Sequence, residues 1–120
     1  ERIMERFSQV AARFDYLVAE GCGGLFCPLC TEGEQLLLGD VAAMLGLPLV
    51  IVSPSGLGAI NAAVLTAEYA AKLGLPVLAV VMNGFEAGNP LHEDNRVQIG
   101  RFTGLRTICA ARDAGTIGLP

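Results

Sequence analysis

Leu47-Pro48-Leu49-Val50-Ile51-Val52-Ser53-Pro54-Ser55-Gly56-Leu57-Gly58-Ala59-Ile60-Asn61 is the stretch on which the reading of the fold turns. Leu49 to Val52 is an apolar, β-branched run of the kind that forms a strand buried on both faces. Ser53 to Gly58 is a loop of small residues, and Ala59 to Leu73 has helical periodicity. Gly74-Leu75-Pro76 closes that helix and launches a second apolar run, Val77 to Met82. A strand, a short turn, a helix, a short turn and another strand predict an α/β fold, a parallel sheet with flanking helices.

The pattern continues in both directions. Upstream, Ile3, Phe7, Val10, Ala11 and Phe14 recur at helical spacing, so residues Glu1 to Phe14 are expected to form a helix. Asp15 to Ala19 reads as a strand ending at Glu20, and Gly21-Cys22-Gly23-Gly24 as a loop. A looser stretch spans Leu25 to Gly33, then Gln35 to Leu45 reads as a helix stopped by Gly46-Leu47-Pro48. Downstream, a polar loop from Asn83 to Pro90 leads to a helix over Leu91 to Phe102, with a last strand at Leu105 to Ala110. With no linker or low-complexity segment, residues 1–120 are expected to form one α/β domain.

Composition narrows the function. Hydrophobic residues make up 52% of the chain and charged residues 17%, enough to build a core. The net charge is −4, and the eight cationic side chains are arginines apart from Lys72, with no basic stripe. A nucleic-acid partner is not expected, because phosphate backbones require clustered positive charge. No apolar run approaches the roughly 18 to 20 residues needed to cross a bilayer, and no signal sequence opens the chain. Neither a membrane nor secretion is therefore expected, and the location reads as cytoplasmic with reduced thiols. The missing initial methionine fits a piece of something longer.

In parallel sheets ligands sit at the carboxyl ends of the strands. Three loops are expected there: Glu20 to Gly24, Ser53 to Asn61, and Asn83 to Pro90. Glu20 would project a carboxylate from a strand end beside glycines that let a phosphate or metal approach the backbone. Magnesium suits that position, since it takes one or two carboxylates and completes its octahedron with phosphates and water. A solvated carboxylate reads equally well. The Ser53–Asn61 turn would present free backbone N–H groups to an anion at a helix start. A well-capped helix with no ligand fits the same residues. Asn83 could pair with the edge of a base through its amide, or simply serve the turn. His92, among Glu93, Asp94 and Asn95, reads as a surface residue. No Gly-x-x-x-x-Gly-Lys-Ser/Thr loop occurs, and Lys72 lies too near a helix end to serve one.

Cys22, Cys27 and Cys30 have the C-x4-C-x2-C spacing of the first three ligands of a plant-type iron–sulfur site, with Cys109 as a distant fourth. The surrounding α/β pattern is not that of such a ferredoxin.

Four blocks in order carry a resemblance. Glu20-Gly21-Cys22-Gly23-Gly24-Leu25-Phe26-Cys27-Pro28-Leu29 resembles the Glu-Gly-Ala-Gly-Gly…Pro segment of dethiobiotin synthetases. Asp40 followed by Leu47-Pro48-Leu49-Val50-Ile51-Val52 is similar to that family's next helix and strand. Leu57-Gly58-Ala59-Ile60-Asn61 with Leu65-Thr66 resembles its Leu-Gly-x-Ile-Asn…Leu-Thr signature, and Val80-Val81-Met82-Asn83 its strand ending in asparagine. The blocks cover most of residues 15 to 83.

The resemblance implies a Rossmann-like P-loop NTPase half-domain, the carboxy-terminal half of an enzyme whose phosphate loop lies outside these residues. It implies an ATP- and Mg2+-dependent closure of the ureido ring of dethiobiotin from 7,8-diaminononanoate and CO2. Under it, Glu20 is a magnesium ligand, and Gly23 and Gly24 lie beside the reacting groups. Gly58, Ala59, Ile60 and Asn61 hold the substrate carboxylate across a homodimer interface, and Asn83 binds the adenine. A partner subunit bearing the P-loop is a further implication. The cysteines depart from the small residues or hydroxyls common in the family, and beyond Asn83 the match fades, with Gly115 to Pro120 compared with a remnant of its adenine loop. A cobyrinic acid synthase-type amidoligase, a non-catalytic binding relative and a cysteine-ligated metal module are the competing readings.

Overall fold

The structure, a computed structural model, describes residues 2–30, 32–33, 35–113 and 115–116. The chain consists of two compact units, Glu1–Gly46 and Leu47–Pro120.

The second unit is the predicted parallel α/β sheet. Strand β3 (Leu49–Pro54), helix α3 (Ala59–Lys72), strand β4 (Val77–Asn83), helix α4 (Pro90–Thr103) and strand β5 (Thr107–Ala110) follow one another. The strands lie in the order β3-β4-β5, and both pairings are parallel. Pro54 and Ala110 are both register partners of Asn83, so the three strands end at one rim.

Chain chemistry explains these elements. Parallel neighbours need a crossover long enough to return to the start of the sheet, and α3 and α4 supply it. The two helices pack on each other. Their inner residues Ala59, Ala63 and Ile99 meet Ile51, Val80, Met82 and Phe85 in a single core cluster. Small alanines let α3 come close to the sheet, while Ile99 and Met82 fill the volume. At the start of α4, the Asn89 side chain accepts a hydrogen bond from the Leu91 N–H at 3.1 Å, and Pro90 occupies the first turn, where its missing N–H costs nothing.

One expectation about the sheet is corrected. β3 alternates buried Ile51 and Ser53 with exposed Val50 and Val52, the latter 66% exposed, so this strand is not covered on both faces. The continuous burial falls on β4 instead, from Ala79 to Met82, because β4 is the central strand.

The first unit departs further. Helix α1 (Arg2–Ala11) is present but shorter than expected, ending in a turn as Ala12 N–H donates to Ser8 O and Arg13 N–H to Val10 O. Asp15 to Ala19 does not form a strand. It runs without ladder partners among the described residues, with Tyr16 83% and Val18 79% exposed. Tyr16 and Val18 favour extension, but a strand exists only when a neighbour takes up its backbone groups.

The looser stretch instead contains strand β1 (Pro28–Cys30), paired antiparallel with β2 (Leu36–Leu37). The helix expected from Gln35 therefore begins only at Leu38, as α2 (Leu38–Leu45). There the Asp40 carboxylate accepts the Leu37 N–H at 2.8 Å and fixes the start.

Two substitutions test this packing. Ile99 is fully buried, so Ile99→Ala is expected to lower the unfolding free energy in urea by about 2–5 kcal/mol. The Thr107 hydroxyl is buried without a hydrogen-bond partner. The isosteric Thr107→Val should raise stability by roughly 1 kcal/mol, and a loss would show that the hydroxyl is satisfied in solution.

Candidate functional site

At the carboxyl rim of the sheet, β3 passes into α3 through Ser55 to Gly58. Ser55 is buried, and its hydroxyl donates to the Asn83 carbonyl at 2.9 Å, tying the end of β3 to the end of β4. The Gly56 carbonyl accepts the Ala59 N–H at 3.2 Å, and the Gly58 carbonyl accepts from Ala62 N–H at 3.0 Å. Gly58 caps α3 with φ 86°, a left-handed conformation that disfavours side chains, and supplies no side-chain cap. Among the described residues the N–H groups of Ile60 and Asn61 have no hydrogen-bond partner. They are the free donors that open a helix.

Ile60 and Asn61 also line a hollow of about 460 Å³ whose walls further include Leu57, Val64, Leu65, Leu91, Asn95 and Phe102. The lining thus joins residues of a helix start to walls that are hydrocarbon apart from Asn61 and Asn95. That combination suits an anion carried on an aliphatic chain. Gly58, Ile60 and Asn61 line the hollow directly, whereas Ala59 is fully buried and serves the core.

Asn83 lines a different hollow, of about 650 Å³, with Val52, Ser53, Pro54, Gly84, Arg112 and Asp113. Its side-chain amide is exposed, while its backbone carbonyl is held by Ser55. Arg112 and Asp113 were not singled out from the sequence. Their position just past β5 was the available signal, since that is the carboxyl end of a parallel strand. Of the segment compared with an adenine loop, Gly115 and Thr116 lie within the described residues and 117–120 outside them.

His92 is corrected from a surface residue to a buried one. Its Nδ1 accepts the Glu86 N–H at 3.1 Å, and its ring lies 5.9 Å from that of Phe85. The loop after β4 folds over the imidazole, which sequence position alone does not reveal. Asn95, one turn further along α4, is buried as well.

In the first unit Glu20 is exposed in an extended segment. The turn behind it is stitched down: Cys27 N–H donates to Gly24 O at 2.8 Å, and Gly39 N–H to Leu25 O at 2.8 Å. A Cβ on Gly21 would meet Leu38 Cδ2 at 2.5 Å, and one on Gly23 would meet Cys27 Sγ at 3.2 Å. A side chain at either position would have to displace Leu38 or Cys27. Gly24 has open space around its Cα and leaves its backbone approachable.

The four cysteines are free, and no group of three or more His, Cys, Asp or Glu side chains that could hold a metal occurs among the described residues. Cys30 Sγ donates to Glu32 O at 3.2 Å. The Cys109 thiol is pushed up, chiefly by partial desolvation, with Glu93 adding to the shift and Arg96 opposing it. Less thiolate at neutral pH makes it a poorer metal ligand. Magnesium makes lighter demands, because one hard carboxylate with phosphates and water suffices, and Glu20 is of that type.

Comparison with known proteins agrees with this architecture. The model of the AAA domain family matches residues 1–112. An ATP-dependent dethiobiotin synthetase of Clostridium botulinum (strain Alaska E43 / Type E3) is 32% identical over 120 residues, all of this chain and 53% of the relative. One of Brachyspira hyodysenteriae is 37% identical over 107 residues, 88% of this chain and 48% of the relative. One of Clostridium perfringens (strain ATCC 13124) is 38% identical over 108 residues, 90% of this chain and 47% of the relative. The chain thus spans about half the length of the curated relatives it matches.

The glycines give a direct test. Gly58 and Gly24 both have open space for a Cβ, but only Gly58 has a positive φ. Gly58→Ala is expected to cost roughly 1 kcal/mol and Gly24→Ala close to nothing, measured by denaturant unfolding. Equal effects would mean that the turn at Gly58 relaxes in solution.

Proposed function

Because the chain belongs to the AAA domain family and is similar along its whole length to ATP-dependent dethiobiotin synthetases, we propose that it forms part of such an enzyme. The reaction closes the ureido ring of dethiobiotin from 7,8-diaminononanoate, CO2 and ATP. The observation that carries the reading is the largely apolar hollow beside the start of α3, whose lining includes Ile60 and Asn61, the two residues with unpaired backbone N–H groups. Diaminononanoate has the matching chemistry, a carboxylate on an alkyl chain.

Bond by bond, one substrate amine attacks CO2 and loses a proton to give a carbamate. A carbamate oxygen takes the terminal phosphoryl group of ATP, releasing ADP. The second amine then attacks the carbamoyl carbon, loses a proton and expels phosphate, closing the ring.

The residues divide this work. Gly58 to Asn61 hold the carboxylate at the far end of the substrate, so binding energy remote from the reaction orients the amines. Asn83 hydrogen-bonds the adenine edge beside Arg112 and Asp113. Glu20 is the chain's magnesium ligand, and Gly23 and Gly24 lie beside the reacting groups, with Gly24 free for close approach. Bound magnesium would neutralise charge on the transferring phosphoryl group. These 120 residues contain no Walker loop, so the phosphate cradle has to come from outside them, in the same polypeptide or a partner subunit. The exposed apolar rim at Leu57, Leu65 and Phe102 suits a homodimer that completes the substrate hollow. Chemistry on ATP and CO2 fits a cytoplasmic location, and no helix among the described residues is long and apolar enough to cross a membrane.

The test is ATP-dependent incorporation of labelled CO2 into diaminononanoate by the natural polypeptide carrying this chain. Glu20→Gln is expected to lower kcat by roughly 100-fold or more, as loss of a group stabilising transition-state charge does. Asn83→Ala should raise KM for ATP up to about tenfold, the worth of one neutral hydrogen bond, with kcat little changed. A wild-type protein that binds ATP but fixes no CO2 would exclude the assignment.

A further inference from the structure

The turn that precedes α3 has little to hold it in place from its own residues. Leu57 is 93% exposed, Gly58 carries no side chain, and no side chain caps the helix. Its geometry is instead fixed from α4. Asn95 is only 4% exposed, and its amide nitrogen donates both to Ser55 O at 2.9 Å and to Gly56 O at 2.8 Å. Carbonyl oxygens can only accept, so the nitrogen, and not the oxygen, of this amide must face them. Both amide protons are thereby committed to the backbone of a segment some 40 residues earlier in the chain.

The bonded carbonyls are not arbitrary ones. Gly56 O is also the acceptor for Ala59 N–H, the first helical amide, and Ser55 is the residue whose hydroxyl grips Asn83 O. The direction in which the next amides, Ile60 and Asn61, point therefore depends on where Asn95 holds the peptide units before them. Asn95 also lines the largely apolar hollow that Ile60 and Asn61 line.

We infer that Asn95 is a positioning residue for the carboxylate site, acting through Ser55 and Gly56 to aim the Ile60 and Asn61 N–H groups at the ligand. The inference rests on the reading of Gly58 to Asn61 as the carboxylate-binding turn. It adds a residue in α4 to a site otherwise drawn from the β3–α3 turn. Removing the amide leaves the buried Ser55 carbonyl without its donor and Gly56 O with Ala59 N–H alone, and the turn relaxes to compensate. The loss then falls on recognition of the carboxylate, not on the nucleotide.

The experiment compares Asn95→Leu, similar in volume but without donors, with Asn95→Gln, which keeps the amide. Both are made in the natural polypeptide carrying this chain. For Asn95→Leu, KM for diaminononanoate is expected to rise roughly 10- to 100-fold, the loss of a well-aimed hydrogen bond to a charged group. KM for ATP, and the KM for the alkyl diamine lacking the carboxylate, should stay within about twofold. Asn95→Gln should recover part of the loss. In parallel, amide hydrogen exchange at Ala59 and Ala62, whose N–H groups are bonded to Gly56 O and Gly58 O, should be faster in Asn95→Leu than in wild type.

Unchanged KM for diaminononanoate in a folded Asn95→Leu protein overturns the inference. So does an equal rise for the diamine lacking the carboxylate, which would make Asn95 a general scaffold residue. If Asn95→Leu does not fold, Asn95→Ser, with one donor left, is measured in its place against the same outcomes. If wild type fixes no CO2, the functional reading fails separately. The exchange rates at Ala59 and Ala62 then decide the inference alone: faster in Asn95→Leu and recovered in Asn95→Gln supports it, and no change overturns it.

Discussion

Parallel pairing of β3 with β4 and of β4 with β5 is the constraint on which the second unit depends. Parallel strands cannot be joined by a tight turn, so each must be followed by a crossover, and the crossovers here are α3 and α4. Once the register sets Pro54, Asn83 and Ala110 side by side, every loop that follows a strand leaves from the same rim. The core and the rim are then two consequences of one arrangement. Alanines on α3 and Ile99 on α4 seal the sheet below, and the turns above are left to bind.

Polar side chains at that rim are spent on backbone rather than on water. Ser55 grips Asn83 O, Asn95 grips the two carbonyls before α3, and His92 receives the N–H of Glu86. Each is buried, and each would be costly if unpaired. Together they make the loops after β3 and β4 a fixed frame, with the Ile60 and Asn61 amides left over on one side and the Asn83 amide on the other. A frame of this kind suits chemistry in which distant parts of a substrate are held so that amines and a phosphoryl donor meet in a set orientation.

The first unit obeys a different logic. The run from Tyr16 to Val18 has a strand's composition and no strand's partners among the described residues, whereas Leu36 and Leu37, read as the start of a helix, pair with β1. Periodicity reports which residues are apolar and how often. It does not report who accepts the backbone hydrogen bonds, and for short apolar segments that second fact decides the outcome. The glycines between Glu20 and Leu25 show the same limit: Gly21 and Gly23 lie close against the side chains of Leu38 and Cys27, contacts that local sequence does not announce.

Local chemistry written along the chain was enough to determine the parallel α/β class, the helices α3 and α4 to within a residue or two at their ends, and the positions of Gly58 to Asn61 and Asn83 at strand ends. Those features follow from apolar period, helix stops and small-residue turns, all of which act over a few neighbouring residues. The four-block resemblance to the dethiobiotin synthetases was likewise legible, since order and spacing survive in the sequence. Burial of His92, the bracing of Ser55 and Gly56 by Asn95, the one-sided cover of β3 and the presence of Arg112 and Asp113 beside Asn83 were decided only by the tertiary structure. Asn95 reaches back about 40 residues and Arg112 about 30 to Asn83, whereas His92 meets Glu86 only six residues away. Yet in every case a hydrogen bond or a buried face exists only once packing has brought its second partner within reach.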